Sequence, residues 1–227
     1  IKYDDRVHTT SWQDLTFLLN LPEGSPRPPL LRVILWDEAL SAHMIPLVQE
    51  EVRLLKALAN RSRHIVQYLD CFVEGSAFTL VLEYADAGTL KQLLERHVDK
   101  AKGEMVSTAA VHVWLYQLAS ALQVIHEARI LHRYIKTANI LLCSNGDAKL
   151  TDLGLAKRVE TAAFLAETRV GTPFYGSPEL VSGRKYSAPS DVWALGVVAY
   201  EMLTLQKPFT GETAQELFAK IEFTEAD

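Results

Sequence analysis

The sequence predicts an α+β fold in two lobes, a small antiparallel β lobe carrying one helix and a larger, mainly helical lobe. Short apolar and β-branched runs bounded by turn residues crowd the chain up to Tyr84. Beyond Asp86-Ala87-Gly88 the apolar residues recur at helical spacing instead. With 227 residues and 48% hydrophobic side chains the chain can bury a substantial core, which excludes a disordered tail. The change of pattern divides a single domain, 1–227, into a small lobe at 1–84, a hinge at 85–88 and the larger lobe at 89–227.

Leu15 to Leu19 and Leu30 to Trp36 read as strands, and Pro22, Gly24, Pro26, Pro28 and Pro29 make the link between them an irregular hairpin loop. Leu47, Val48, Val52, Leu55 and Leu58 fall at helical spacing, with Glu50, Glu51 and Lys56 among them. Ile65 to Phe72 and Phe78 to Tyr84 supply two more strands, parted by Glu74-Gly75-Ser76. In the larger lobe Ser107 is placed to cap a long helix in which Val111, Trp114, Leu115, Leu118, Leu122 and Ile125 form one stripe. Trp114, His112 and His126 read as packing or solvated positions on it. A helix from Asp191 is apolar on all sides, which predicts burial at the centre of its lobe, and a last helix spans Gln215 to Ile221.

Lys+Arg 23 against Asp+Glu 28 leaves a net charge of -5, without the basic excess of a protein that holds nucleic acid by its phosphates. Cys71 and Cys143 lie in apolar contexts without metal spacing, so buried reduced thiols in a reducing compartment are expected. No charged lead into an apolar signal segment is present, and the apolar run Val192 to Leu203 is interrupted by Glu201 and too short to span a bilayer. The expectation is a soluble, cytoplasmic protein with neither a membrane nor a nucleic acid as partner.

Four motifs then follow in order: His132-Arg133-Tyr134-Ile135-Lys136-Thr137-Ala138-Asn139, Asp152-Leu153-Gly154, Gly171-Thr172-Pro173-Phe174-Tyr175-Gly176-Ser177-Pro178-Glu179 and Asp191-Val192-Trp193-Ala194-Leu195-Gly196. They resemble the catalytic loop, the metal-binding motif, the end of the activation segment and the F helix of a serine/threonine protein kinase. Ile65-Val66-Gln67-Tyr68, Ile130-Leu131-His132-Arg133 and Gly171-Thr172-Pro173 are phrased most like the NIMA-related (NEK) kinases. The resemblance implies a bilobal protein-kinase-like fold with a C helix over 47–58 and a G-helix region over 215–221. It also implies that the larger lobe is truncated after that region, with impaired stability or an exposed apolar patch where later helices would pack.

Kinases hold ATP and Mg²⁺ and orient a hydroxyl toward a carboxylate base. By resemblance Asn139 and Asp152 are the metal ligands, and Lys136 is the lysine that neutralises the transferring phosphoryl group. Tyr134 stands where the base would be; a phenol ionises near about pH 10 and cannot serve, and such a base contributes about 10²–10⁴-fold. Leu35, in Val33-Ile34-Leu35, takes the place of the lysine that grips the phosphates and pairs with the C-helix glutamate. Glu51 matches that glutamate, as a group deprived of its cation or as an exposed helix acid. Val33, Leu35, Glu51, Leu82, Tyr84 and Leu141 are the positions at which nucleotide would be held, weakly or not at all. His8 to Gln13 replaces the glycine-rich loop, and Trp12 either fills the cleft or caps the strands.

The framework residues match. Leu55, Tyr68, His132 and Leu153 correspond to the stacked regulatory spine, and Asp191 to the acid that anchors the catalytic loop. Arg133 resembles the arginine that grips a phosphorylated activation-loop residue, with Thr168 ahead of Thr161 and Thr172 as the acceptor. Glu179 loses the arginine it would pair with in later helices, as an exposed or an unpaired buried acid. Three readings stand at this point: a NEK-like pseudokinase that binds a protein partner, another kinase or a signalling complex; a weak serine/threonine kinase in which Lys56 or another lysine replaces the clamp; and a fragment without function.

Overall fold

The computed structural model describes residues 14–18, 30–35, 49–74, 77–99, 105–153, 157–158 and 174–223. Strands β1 (Asp14–Leu18), β2 (Leu30–Leu35), β3 (Tyr68–Glu74) and β4 (Ala77–Leu82) make one antiparallel sheet in the order β1-β2-β4-β3. Helix α1, over 49–58, packs Leu54, Leu55 and Leu58 into the same core as Leu80 and Leu82. The larger lobe carries α2 (Leu90–Asp99), α3 (Thr108–Glu127), the short strands β5 (Ile130–Leu131), β6 (Ile140–Leu142), β7 (Ala148–Leu150) and β8 (Lys157–Arg158), then α4 (Pro178–Val181), α5 (Ala188–Thr204) and α6 (Ala214–Phe223). This is the bilobal α+β architecture that the sequence predicts.

The third predicted strand begins later than its apolar run. Residues 64–66 leave the small sheet to run beside β7: Val66 N–H donates to Leu150 O at 2.9 Å and Leu150 N–H to His64 O at 2.9 Å. Apolar Ile65 and Val66 therefore serve the junction of the two lobes. Arg63 reinforces it with a bidentate pair to Asp147, both contacts at 2.7 Å, while Lys149 reaches Glu83 at 2.9 Å. On the hinge, Gly88 sits at φ +80°, and a Cβ there would lie 2.5 Å from Gln92 Oε1. That glutamine is committed to the start of α2: Thr89 N–H donates to Gln92 Oε1 and Gln92 N–H to Thr89 Oγ1, a reciprocal capping box.

Helix α3 is the axis of the larger lobe, with Val111, Leu118, Ala121, Leu122 and Ile125 buried. By length and composition its 20 residues would cross a membrane, a stretch longer than the Val192 to Leu203 run singled out in the sequence. Its buried stripe is instead packed on α5 and β7. Ser107 precedes it, but its side chain makes no capping bond; only its carbonyl enters the helix, accepting from Val111 N–H at 3.0 Å.

Helix α5 departs from the prediction of burial on all sides. Val192 is 58% exposed and Leu203 46%, while Asp191, Leu195, Val198 and Met202 are buried on the flank facing α3. An all-apolar sequence does not reveal which flank has a neighbour. A separate small core joins Phe209, Leu217 and Ile221, with Trp193 stacked on Phe209. Cys143 is buried and Cys71 half-buried, and both are free thiols.

The contrast along α3 is measurable in denaturant. Leu118→Ala, at a wholly buried site, should cost about 2–5 kcal/mol. Tyr116→Ala, on the exposed side of the same helix, should stay within about 0.5 kcal/mol of wild type.

Candidate active site

The loop after β5 is shaped by one buried carboxylate. Asp191, wholly buried at the start of α5, accepts His132 N–H at 3.0 Å, Arg133 N–H at 2.9 Å, Tyr186 O–H at 2.6 Å and a bond from His126 Nε2 at 2.8 Å. Burial alone would push its pKa up. The bonds from His126 and Tyr186, the nearby His132 and the Arg133 amide outweigh that and hold it below the ordinary carboxylate range. Burial and Asp191 itself push the Tyr186 phenol well up, so it remains a donor. Burial also lowers the pKa of His132 and keeps its imidazole neutral. Arg133, which follows, is held at φ +69° by the same contacts and lies buried with its guanidinium 5.8 Å from the Tyr186 ring. His126, read in the sequence as a packing or solvated residue, is thus a specific part of this frame.

Tyr134, at the base position, is tied in place through its backbone. Its N–H donates to His132 Nδ1 at 3.3 Å, and its carbonyl accepts the Asn139 side-chain N–H at 2.9 Å. Lys136 is extended, at φ -161° and ψ 163°. Its ammonium lies 3.8 Å from the centre of the Tyr134 ring, well within cation–π range. Asn139 is buried, and its carbonyl accepts Thr151 N–H at 3.1 Å, which brings the backbone leading to Asp152 beside it. Asp152 is half-buried, at φ +66°.

The other predicted positions divide. Leu82 is buried in the main core, whereas Tyr84 and Leu141 are half-buried about the hinge, where Thr89 bridges to Leu141. Val33 and Leu35 pair with Thr79 and Ala77 of β4. Glu51 is 5% exposed, which removes the reading of an exposed helix acid. Lys56, five residues further along α1, is exposed with its ammonium over Tyr68 at 5.1 Å and points roughly 140° away from Glu51. It is therefore poorly placed to stand in for the clamp. Leu55 and Leu153 are buried in one core with Tyr68 packed against it, and His132 is buried. Trp12, Thr161, Thr168, Thr172 and Gly154 lie outside the described residues.

Glu179 corrects the expectation of an exposed or unpaired acid. It is half-buried and accepts a short bond from the hydroxyl of Ser190, in the first turn of α5. Burial would raise its pKa, but Ser190, Ser177 and the charge of Arg184 bring it below the ordinary value. A second cluster went unread in the sequence. Thr137 Oγ1 lies 3.0 Å from Tyr175 Oη, which donates to Glu201 Oε2 at 2.7 Å, and Lys207 Nζ bonds both Tyr175 and Glu201. Burial and Glu201 keep the Tyr175 phenol protonated, so the cluster pins the loop at Thr137, a second point beyond the Asp191 anchor. Its only signal in the sequence was Glu201 interrupting an apolar helix.

Residues 37–225 match the family described as protein kinase domain. Among curated proteins, the chain is 37% identical over 174 residues to the serine/threonine-protein kinase Nek5 of Homo sapiens, covering 76% of this chain and 24% of that protein. It is 43% identical over 160 residues to Nek9 of Mus musculus, covering 70% and 16%, and 37% identical over 202 residues to a probable serine/threonine-protein kinase nek2 of Dictyostelium discoideum, covering 84% and 47%. The chain thus spans less than half the length of these relatives. Val33 and Leu35 precede the matched segment, so their correspondence rests on strand register alone.

That family uses ATP with Mg²⁺. For a cation the site offers Asn139 and Asp152 on neighbouring backbone, and Asn139 keeps its side-chain oxygen while its N–H₂ serves Tyr134. For a triphosphate the fit fails: Leu35 stands where the clamp is expected, and Lys136, the lysine of the loop, is stacked on the Tyr134 ring.

The frame predicts a pH response of definite sign. His132 and His64 have lowered pKa values when folded, so their unfolded forms take up protons first, and stability falls as pH drops below about 6.5. Asp191, Asp147 and Glu179, also lowered, give stability that is present above about pH 4 and lost as pH falls through their folded values. Tm measured from pH 8 to 3 should decline in those two stages, with His132→Phe shrinking the first. Asp191→Asn should cost about 3 kcal/mol or more in urea, because it sets an amide N–H₂ against buried donors.

Proposed function

The chain belongs to the protein kinase family, and from that premise we propose that it is a NEK-like pseudokinase, acting in the cytoplasm by binding a protein partner in phosphorylation signalling. The partner class is another kinase or a signalling complex, for which the bilobal body is a scaffold or an allosteric effector. One observation carries this reading: at the base position stands a tyrosine fixed by His132 and Asn139, with the neighbouring Lys136 ammonium held on its ring. A proton acceptor and a free cation are both missing where phosphoryl transfer would need them. Leu35 supports the reading independently, since an aliphatic side chain cannot grip a phosphate. The framework about Asp191 and the buried spine residues supports retention of the kinase shape.

A weakly active serine/threonine kinase is the second reading, and the retained Asn139 and Asp152 favour it. Lys56 does not help it, being exposed on another face of α1 from Glu51.

Transfer of radiolabelled phosphate from ATP to casein or myelin basic protein separates the two. The wild-type chain and Tyr134→Asp alone should stay at background, while Tyr134→Asp with Leu35→Lys should give measurable transfer. Mg-ATP at about 1 mM should leave the wild-type Tm unmoved, whereas binding with a Kd a hundredfold lower would add about 2.7 kcal/mol. Transfer by the wild type at an ordinary rate refutes the pseudokinase reading.

A further inference from the structure

Resting on the reading just given, we propose that Tyr134 is more than an absent base: its ring is an internal stand-in for the phosphoryl anion, engaging Lys136 and setting the cleft against polyphosphates. The anchored loop sets the arrangement. Lys136 is extended, and its ammonium lies 3.8 Å from the centre of the Tyr134 ring on a loop whose shape Asp191 holds. The ring's starting point is fixed on both sides of its own peptide units by His132 Nδ1 and the Asn139 amide. Just beyond Lys136, Thr137 is pinned to Tyr175. The chain is thus held before, between and after the pair.

The electrostatics follow. Among the described residues Lys136 forms no ion pair, and the ring centroid 3.8 Å away is its partner. An aspartate at residue 134 would meet this lysine as a mobile charge pair in water, leaving the ammonium able to turn toward an anion. The π face instead attracts the cation over a broad area, in a half-buried position where competition from water is reduced. A phosphate must therefore break this contact before it gains Lys136, and it must do so in the space the ring fills. The specificity consequence is that polyanions are disfavoured here even though the lysine survives.

Isothermal titration with Mg-ATP and, separately, inorganic tripolyphosphate tests this on the full chain and on Tyr134→Phe, Tyr134→Ala, Lys136→Ala and the Tyr134→Ala/Lys136→Ala double variant. Wild type and Tyr134→Phe, which share the ring, should bind alike and weakly. Tyr134→Ala should bind both probes about 2- to 30-fold more tightly, the range of a cation–π contact, and the double variant should lose that gain. A urea double-mutant cycle should show Tyr134 and Lys136 coupled by a similar factor in the unfolding equilibrium. If Tyr134→Ala does not fold, Tyr134→Leu keeps apolar bulk without a π face and serves in its place. Equal binding by Tyr134→Phe and Tyr134→Ala, or an additive cycle, overturns the inference. Phosphotransfer by the wild type would sink the pseudokinase reading while leaving the coupling intact, so the two failures are distinguishable.

Discussion

A single buried carboxylate organises the functional end of this molecule. Asp191 receives two consecutive backbone N–H groups from the loop, a phenol and an imidazole, and so ties α5, α3 and the loop after β5 into one unit. A buried charge is tolerable only when its desolvation is repaid by hydrogen bonds, and four are present here. In return the loop is held in a backbone shape it would not choose, with Arg133 at φ +69°. The placement of Tyr134, Lys136 and Asn139 depends on that shape, because it decides which way their side chains leave the chain.

A second anchor makes the loop rigid instead of merely attached. Thr137 is held through Tyr175 to Glu201 and Lys207, the last two contributed by the end of α5 and the segment beyond it. The two anchors lie at opposite ends of α5, so the helix acts as a strut on which the loop is stretched. Leu205 ends that strut in the left-handed region at φ +59°, where its N–H still reaches Glu201 O at 2.9 Å. Glu179, bonded to Ser190 in the first turn of α5, ties α4 to the same helix.

The sequence made the architecture legible because the signals were local or repeated. The stripe from Val111 to Ile125 and the run of small-lobe strands were periodic, and the four motifs stood in order. The misreadings share a cause: each turned on which neighbour a segment meets. Ile65 and Val66 look like strand residues, yet their backbone partner is Leu150 in the other lobe. Nothing within α5 distinguishes the flank bearing Val192 and Leu203 from the flank bearing Leu195 and Val198. Glu179 was paired in expectation with an arginine, but a serine hydroxyl eleven residues on satisfies it. The Tyr134–Lys136 stack was hidden for the same reason, because it forms on a loop whose shape is set by Asp191, far along the chain.

On the pseudokinase reading proposed above, magnitudes decide which loss would matter most to this cleft. Removing a general base costs about 10²–10⁴-fold in rate, equivalent to about 3–5.5 kcal/mol, which slows an enzyme without disarming it. A triphosphate is a different problem, because its charge must be matched by cations and metal before any chemistry begins. Leu35 supplies no charge where the clamp would be, and the one lysine left in the loop already faces an aromatic ring. Asn139 and Asp152 can offer oxygens to a metal, but a metal brought by a nucleotide arrives only if the nucleotide is held. On that reading, loss of the phosphate grip stands upstream of loss of the base, and an aspartate at residue 134 would repair the later defect while leaving the earlier one in place.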